Sequence, residues 1–522
     1  MRWSARLLLG AAMAVYAGAL AQQLDLTAAD LGRHLKNGEL FVTRGAVLST
    51  NFYSYTQPDH PAINHHWGSG VIFYLVWKAG GFLGLHLFFT VVSLAALWLL
   101  WRIAEPRAGP GLTALIFVCI APLLAERREI RPEMFTYLFG AWFLHQLFQV
   151  RDGRAKARAL WTLPLIEAAW VNTHIYFCFG PAFIGAFLLE AIGARDRRAL
   201  VKPLALTLLA ALAVTLLNPF GVRGALAPLT IFQEYGYRVL ENQTVWFLEP
   251  LVPKTNFLLF KLVFWGLITS IVLAWAVAGQ RLCSAETYLA AAGGLLGWLA
   301  LRNFALFACI AFLVLSTNLG ALCRASLQRW RAWWTGGGAL ANLVVLGLMA
   351  QGANGLLLPL SLEPGLGIRP GNDAAARFVL AQDLEGPIFN NYDIGGYLIF
   401  HLFPRHRVFV DNRPEAYSVG FFRDVYVPLQ NSEGAWRKFD AQYRFNTIIF
   451  QRNDQTPWAQ RFLVSRVRDP LWAPVFVDDY SLILVRRTPR NAAVIQRFEI
   501  PQERFRMSTP ATPRAGVELR PE

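Results

Sequence analysis

"FLGLHLFFTVVSLAALWLLWRI", residues 82–103, is a run of 22 residues in which Arg102 is the one charged side chain. About 20 consecutive apolar residues are enough for a helix to cross the hydrocarbon core of a bilayer. The rest of the 522-residue chain has the same character, with 55% hydrophobic residues, 16% charged residues and a mean hydropathy of +0.35. We therefore predict a multi-pass α-helical membrane protein.

Apolar segments recur along the first 360 residues and predict about eleven membrane-spanning helices. Several of them are shorter than a perpendicular span, so flanking residues have to complete them. The apolar stretch Val71–Gly80 is too short to span and is predicted to lie along the outer interface. The predicted spans are 7–21, 82–103, 112–125, 135–150, 159–171, 175–192, 204–217, 257–279, 285–300, 304–322 and 339–360.

Lysine and arginine collect on one side of the membrane if these spans alternate, for example at Arg107, Arg154 and Arg198. Basic loops favour the cytoplasmic side, so the N-terminus is predicted to be cytoplasmic in a bacterial inner membrane. The formal charge of +15 is then explained by cytoplasmic loops facing anionic lipid, and the bilayer rather than nucleic acid is the expected partner. Arg2, Arg6 and the following apolar run also match a signal peptide, but we favour a retained first helix.

The composition changes after residue 360, where short β-rich runs alternate with helical patterns. We predict a transmembrane domain over 1–360 with a first periplasmic loop over 22–80. A periplasmic α/β domain is predicted over 361–506, and the tail 507–522 is predicted to be disordered. Within the α/β domain, Asp411 and Arg413 are predicted to form a structural pair.

Ionisable and polar side chains concentrate on the predicted outer face, beginning with "TNFYSYTQPDHPAINHHWGSG", residues 50–70. Such groups are costly at membrane depth, so a one-sided concentration predicts a functional site, although each residue alone is also consistent with an interfacial anchor. The predicted cluster contains Asp59, His60, His65, His66, Arg127, Arg128, Glu129, Arg131, Glu133, Asn172, His174, Arg302 and Asn303.

Motifs in the membrane part resemble a known class of enzymes. "NFYSYTQPDHPAINHHWGSGVIFYL", "REIRPEMFTYLF", "WVNTH", "NPFG" and "LRNFALF" occur in the order seen in GT-C integral-membrane glycosyltransferases. The chain looks most similar to bacterial relatives of protein O-mannosyltransferases and aminoarabinose transferases. The resemblance implies inverting transfer of a sugar from a polyprenyl-phosphate donor to a glycan, lipid or protein acceptor. Related proteins often carry an acid where this chain has Asn51 and His66, which leaves Asp59 as the candidate acid.

Inverting transfer needs a proton acceptor for the attacking hydroxyl and positive charge for the departing phosphate. Asp59 is the predicted base, with His65 and His66 as the alternatives. Guanidinium groups match phosphate oxygens with a forked pair of donors. The residues predicted to bind lipid phosphate or substrate are Arg127, Arg128, Arg131, Arg302, Asn172, His174, Tyr55 and Trp67.

Other interpretations of the same residues stay open. Asp59, His60, His65 and His66 can also be ligands for a divalent metal, although their spacing matches no helix-based metal motif. No other cofactor is expected. A transporter or flippase of lipid-linked sugars would also carry charged groups inside a helical bundle, and a non-enzymatic protein of envelope assembly is the third interpretation.

Overall fold

The computed structural model describes residues 2–230, 233–251, 255–326 and 364–505. The chain forms two compact units. The first contains Met1–Asp25, Arg33–Ser49 and Pro61–Arg369, and the second contains Leu26–Gly32, Thr50–His60 and Pro370–Glu522. The predicted first loop is therefore divided between the two units.

The regular elements in the described part of the first unit are helices, because its long apolar runs satisfy their backbone polar groups internally in this way. Its helices are α1 (Arg2–Leu20), α2 (Leu31–Arg44, whose first two residues belong to the second unit), α3 (Trp67–Ala108), α4 (Pro110–Leu124), α5 (Glu133–Arg151), α6 (Thr162–Trp170), α7 (Phe179–Gly193), α8 (Val201–Val214), α9 (Gly221–Leu226), α10 (Val245–Leu248), α11 (Thr255–Ala278), α12 (Ala285–Leu299) and α13 (Phe304–Ser326).

Among the described residues, five helical stretches are long and apolar enough to cross a membrane: Trp3–Leu20, Trp67–Ala108, Ile175–Gly193, Asn256–Ala278 and Leu301–Ala325. Helices overlap the other predicted spans up to residue 322 as well: α5 has 19 residues, and α4, α6, α8 and α12 have 15 or fewer. The predicted span 339–360, the boundary at residue 360 and the tail 507–522 lie outside the described residues. The number of crossings stays a prediction.

Helix α3 contains a break at Gly81, whose φ of 61° and ψ of −157° are not helical. Glycine adopts this backbone conformation without the clash that a β-carbon would cause. The break separates the stretch Val71–Gly80 from the long apolar run that begins at Phe82. The first of these stretches is a helix, and its predicted position at the membrane interface is untested.

The second unit contains a four-stranded sheet with helices between its strands. The strands are β1 (Ile388–Asn390), β2 (Thr447–Gln451), β3 (Trp472–Val477) and β4 (Ser481–Arg486), in the spatial order β1-β2-β4-β3. β1 pairs parallel with β2, and the other two pairings are antiparallel. The helices are α14 (Ala374–Ala381), α15 (Gly395–Leu402), α16 (Val427–Asn431), α17 (Glu433–Tyr443), α18 (Ala459–Arg468) and α19 (Ala492–Phe498).

A segment of the predicted first loop completes this unit. The N–H of Val408 donates to the carbonyl of Tyr53 at 3.0 Å, and the N–H of Tyr55 donates to the carbonyl of Val408 at 3.1 Å. The ring of Tyr53 lies 5.1 Å from that of Phe403. Backbone pairing and ring packing thus hold residues 50–60 to the α/β unit.

The predicted pair between Asp411 and Arg413 is confirmed. Arg413 donates through Nε and Nη2 to the two carboxylate oxygens of Asp411, at 2.7 and 2.6 Å. Its Nη2 also donates to Oδ1 of Asn51 at 2.8 Å. All three side chains are buried, so the pair contributes to the interior of the second unit.

Candidate active site

Asn172, in the turn after α6, ties three elements of the first unit together. Its Oδ1 accepts from Nε1 of Trp67 at 2.8 Å, and its carbonyl accepts from the N–H of Gly68 at 2.9 Å. Its Nδ2 donates to the carbonyls of Ala168 and Leu217, both at 2.8 Å. The polar atoms of Asn172 and Trp67 are therefore occupied in positioning the start of α3.

Glycines allow the backbones at this point to approach closely. A β-carbon at Gly38 in α2 would lie 2.0 Å from the carbonyl oxygen of Gly70 in α3. A β-carbon at Gly68 would lie 2.6 Å from the carbonyl oxygen of Asn172. Such distances are far below a normal contact, so only glycine permits this packing of α2, α3 and the turn.

A histidine group forms where these elements meet, consisting of His34 on α2, His65 and His66 before α3, and His174 after α6. The ring centroid of His66 lies 5.3 Å from that of His34, 6.1 Å from that of His65 and 5.2 Å from that of His174. Burial, together with the neighbouring His174 and His34, holds the pKa of His66 well below its usual value. His66 is therefore neutral at pH 7.

The tautomer of His174 follows from its hydrogen bonds. Its Nδ1 accepts from the N–H of Tyr176 at 3.3 Å and lies 2.8 Å from Oγ1 of Thr136. Nε1 of Trp170 donates to the same Oγ1 at 3.0 Å, which leaves the hydroxyl proton of Thr136 to point at His174. Burial lowers the pKa of His174 to about 3, so its ring carries its proton on Nε2.

Beside this group lies the arginine–glutamate network, defined as Arg127, Arg131, Arg302, Glu133 and Glu241. Glu133 stands in the first turn of α5, where the helix dipole favours an anion. Its carboxylate lies 3.2 Å from Nε of Arg127 and 3.0 Å from Nη2 of Arg302. Two cations from different parts of the chain thus converge on one buried carboxylate.

Glu241 joins the same arginines from the loop between α8 and α11. Nη1 of Arg127 donates to its Oε2 at 2.7 Å, and Nη1 of Arg131 lies 3.2 Å from each of its carboxylate oxygens. Next to it, Oδ1 of Asn242 accepts from Nη1 of Arg302 at 3.0 Å. Two consecutive residues of the loop therefore contact all three arginines.

The charges of this network support one another. Burial alone would raise the pKa of Glu133, but Arg127 and Arg302 bring it below its ordinary value. Burial would likewise lower the pKa of Arg127, but Glu133 and Glu241 raise it. The network is consequently fully ionised at neutral pH, and it presents fixed guanidinium donors where an anion can be held.

The structure places eight of the predicted site residues in the first unit around these two groups: His65, His66, Trp67, Arg127, Arg131, Asn172, His174 and Arg302. Arg128 donates from Nε to the carbonyl of Ala125 at 2.8 Å.

Asp59, His60 and Tyr55 belong to the second unit. Asp59 is exposed. The backbone carbonyl of His60 accepts from the N–H of Asn51 at 2.9 Å. The hydroxyl of Tyr55 donates to the carbonyl of Ile388 at 2.8 Å, and its ring lies 6.0 Å from that of Phe409. Tyr55 thus contributes to packing within the second unit.

The sequence analysis placed Glu133 in the outer-face cluster without a specific role, and it did not single out Glu241 or His34. Glu133 follows the arginine-rich turn in the sequence, and this position is what indicated that it could belong to the site. Glu241 lies 110 positions from Arg131, so no local pattern connects the two. His34 is 2% exposed on a helix that begins inside the predicted loop.

Metal binding at the predicted histidines and Asp59 stays untested. In the part of the chain that the structure describes, no three His, Cys, Asp or Glu side chains are grouped so as to hold a metal ion.

Comparisons with solved structures identify the fold. The oligosaccharyltransferase AglB from Archaeoglobus fulgidus, in complex with an inhibitory peptide and a dolichol-phosphate, has a TM-score of 0.59 at 12% identity, with 91% of this chain and 73% of that chain covered. ArnT from Cupriavidus metallidurans, bound to undecaprenyl phosphate, has a TM-score of 0.53 at 14% identity, with 93% and 98% covered.

The arabinofuranosyltransferase AftD from Mycobacteria has a TM-score of 0.51 at 16% identity, with 93% of this chain and 40% of that chain covered. No protein-family model matches the chain. No curated protein matches it either. The structural neighbours are GT-C glycosyltransferases, and the chain has their fold.

Proposed function

We propose that this protein is an inverting membrane glycosyltransferase. It moves a sugar from a polyprenyl-phosphate donor to a glycan, lipid or protein acceptor on the periplasmic face of a bacterial inner membrane, with its N-terminus in the cytoplasm. The observation that carries the proposal is the convergence of Arg127, Arg131 and Arg302 in a protein with a GT-C fold. Two of the compared proteins, AglB and ArnT, hold a polyprenyl phosphate.

The three arginines are the proposed site for the donor's phosphate. Their guanidinium groups offer planar pairs of N–H donors that match phosphate oxygens, and their charge stabilises the phosphate as the sugar departs. Glu133 fixes two of them from the start of α5, so the donors are oriented before the substrate binds. Arg128, in the same turn, is the further candidate for a contact with the lipid phosphate.

Asp59 is the proposed base that takes the proton of the acceptor hydroxyl. It is an exposed carboxylate, and therefore free to meet an acceptor that arrives from solvent. His66 is the alternative base, because its ring is neutral, but burial and the neighbouring histidines lower its pKa and so disfavour its taking up a proton. In either case the sugar's bond to phosphate breaks as the acceptor oxygen attacks from the opposite side, and this inverts the anomeric carbon.

Transfer from radiolabelled polyprenyl-phosphate sugars by the purified full-length protein tests the proposal. Asp59→Asn should reduce turnover by roughly 10²–10⁴-fold and leave donor binding nearly unchanged, because it removes the proton acceptor alone. Asp479→Asn is the matched control, since Asp479 is an acid of the same unit whose side chain is 94% exposed.

Two outcomes contradict parts of the proposal. A wild-type protein that neither binds nor consumes any polyprenyl-phosphate sugar is not such a transferase. An active Asp59→Asn protein beside an inactive, folded His66→Asn protein would move the role of base to the histidine.

A further inference from the structure

The two acids of the arginine–glutamate network are held by the chain in different ways. Glu133 belongs to the first turn of a 19-residue helix. Glu241 belongs to a three-residue 3-10 helix, Leu240–Asn242, within the long connection between α8 and α11. Moving a side chain away from its partners costs less free energy when it lies on such a connection than when it lies on a packed helix.

The carboxylate of Glu241 contacts Arg127 and Arg131 in the way that a bound anion would. Its carboxylate takes one donor from Arg127, and a donor of Arg131 lies equally far from both of its oxygens. Two carboxylate oxygens and two non-bridging phosphate oxygens present similar pairs of acceptors to a guanidinium. The side chain of Glu241 is 27% exposed, compared with 6% for Glu133, so Glu241 is the acid nearer to solvent.

Charge balance indicates what can replace it. The ion pairs join three arginines, Arg127, Arg131 and Arg302, to three glutamates, Glu129, Glu133 and Glu241. A phosphate diester bears one negative charge, as a carboxylate does. Exchange of Glu241 for a diester leaves the net charge of the network unchanged, whereas binding beside Glu241 would place two anions next to each other in a poorly solvated site.

We propose that Glu241 occupies the donor-phosphate position in the free protein and is displaced by the phosphodiester of a lipid-linked sugar, while Glu133 remains as the permanent partner of Arg127 and Arg302. This inference rests on the proposed function and deepens it. It assigns opposite roles to two acids that contact the same arginine. Glu241 competes with the donor, and Glu133 positions the guanidinium groups for it.

Binding of undecaprenyl phosphate to the full-length protein in detergent or nanodiscs separates these roles, because this monoester keeps the donor's lipid and phosphate and bears at least the one negative charge of the diester. Glu241→Gln should tighten binding by about fivefold or more, because it removes one competing charge-assisted contact and keeps the size of the side chain. Glu133→Gln should weaken binding by roughly tenfold or more, because the guanidinium groups lose the carboxylate that orients them. Undecaprenol, which lacks the phosphate, should bind all variants alike.

Glu249→Gln is the matched control, since Glu249 pairs with Lys261 outside the network and has a side chain that is 42% exposed, and its loss should change affinity by no more than about twofold. Thermal unfolding of each variant shows whether it is folded. Equal or weaker binding by a folded Glu241→Gln protein, with the wild type binding normally, overturns this inference alone. Absence of saturable binding in the wild type and in Glu241→Gln overturns the proposed function as well.

Discussion

Replacing Gly38 with alanine should separate α2 from α3 and disturb the histidine group. The new β-carbon would lie 2.0 Å from the carbonyl oxygen of Gly70 and 2.7 Å from the β-carbon of Tyr74. Both obstacles are rigid, and the first is more than 1 Å short of a normal contact, so the helices have to move apart. His34 stands one turn before Gly38 and would move away from His66.

The expected loss of stability combines two opposite terms. Overpacking of this kind costs about 1–3 kcal/mol, while alanine in a helix is favoured over glycine by roughly 0.5–1 kcal/mol. We expect a net loss of about 1–2 kcal/mol in the free energy of unfolding. Gly18→Ala is the control, because Gly18 lies in α1 with nothing within 4 Å of its added β-carbon and should gain the helix term alone.

Thermal unfolding followed by intrinsic fluorescence, together with sugar transfer, measures both effects. The Gly38→Ala protein should unfold at a lower temperature than the Gly18→Ala protein. It should also be less active, by up to about 10²-fold, if α2 moves by 1 Å at the reaction centre. Equal midpoints and equal turnover for the two variants would show that α2 and α3 do not touch at Gly38.

Three further predictions concern charge, pH and topology. Arg302→Lys keeps the positive charge but loses the forked donors that contact Glu133 and Asn242. Donor affinity should therefore fall by about 1–3 kcal/mol. Unchanged affinity in a binding titration would remove Arg302 from the phosphate site. Because burial lowers the pKa of His174 from 6.5 to about 3, the unfolded chain binds a proton that the folded protein refuses. The contribution of His174 to the free energy of unfolding is therefore constant above pH 6.5. As the pH falls below 6.5, the protein loses stability by at most about 1.4 kcal/mol per pH unit. Melting curves of the wild type and of His174→Asn in a pH series check this loss. In a cysteine-free background, an impermeant thiol reagent applied to intact cells should label cysteines at the exposed positions Ala46 and Asn431 but not at Arg154, and the reverse pattern would invert the proposed topology.

Hydropathy predicts the apolar helices of the first unit well because a continuous apolar run has few other stable solutions in lipid. It misses α2, which has four charged residues in 14 and buries Leu31 and Leu35, one turn apart on the same side. A search for helical periodicity within the predicted loop is what would have found this helix.

The strands of the second unit are harder to predict from the sequence than the apolar helices. One of the β-rich runs after residue 360, "RVFVDN" at residues 407–412, has the sequence pattern of a strand, but its Val408 forms only an isolated bridge with Ser54. β3 was not predicted because its sequence, "WAPVFV", contains a proline, which is disfavoured inside sheets. Proline is tolerated here on a strand at the edge of the sheet.

The candidate site was predictable where its residues are neighbours in sequence, as in the arginine-rich turn. The pairing of these arginines with acids was not predictable, because Glu241, which contacts both Arg127 and Arg131, comes from a distant loop. A cluster of like charges in a sequence signals that counterions must exist, but only the fold shows whether protein or ligand supplies them.

The division of the first loop between two units has a consequence for biosynthesis. Leu26–Gly32 and Thr50–His60 leave the ribosome early, yet the unit that they complete begins its main part at Pro370, more than 300 residues later. At roughly 5–20 residues per second, these segments wait on the order of 15–60 s before their partners exist. During that time the tyrosine-rich segment 50–60 is unpaired. A chain stalled before Pro370 would therefore leave this aromatic segment without its partners, and chaperones and proteases that bind such segments could recognise the unfinished chain by it.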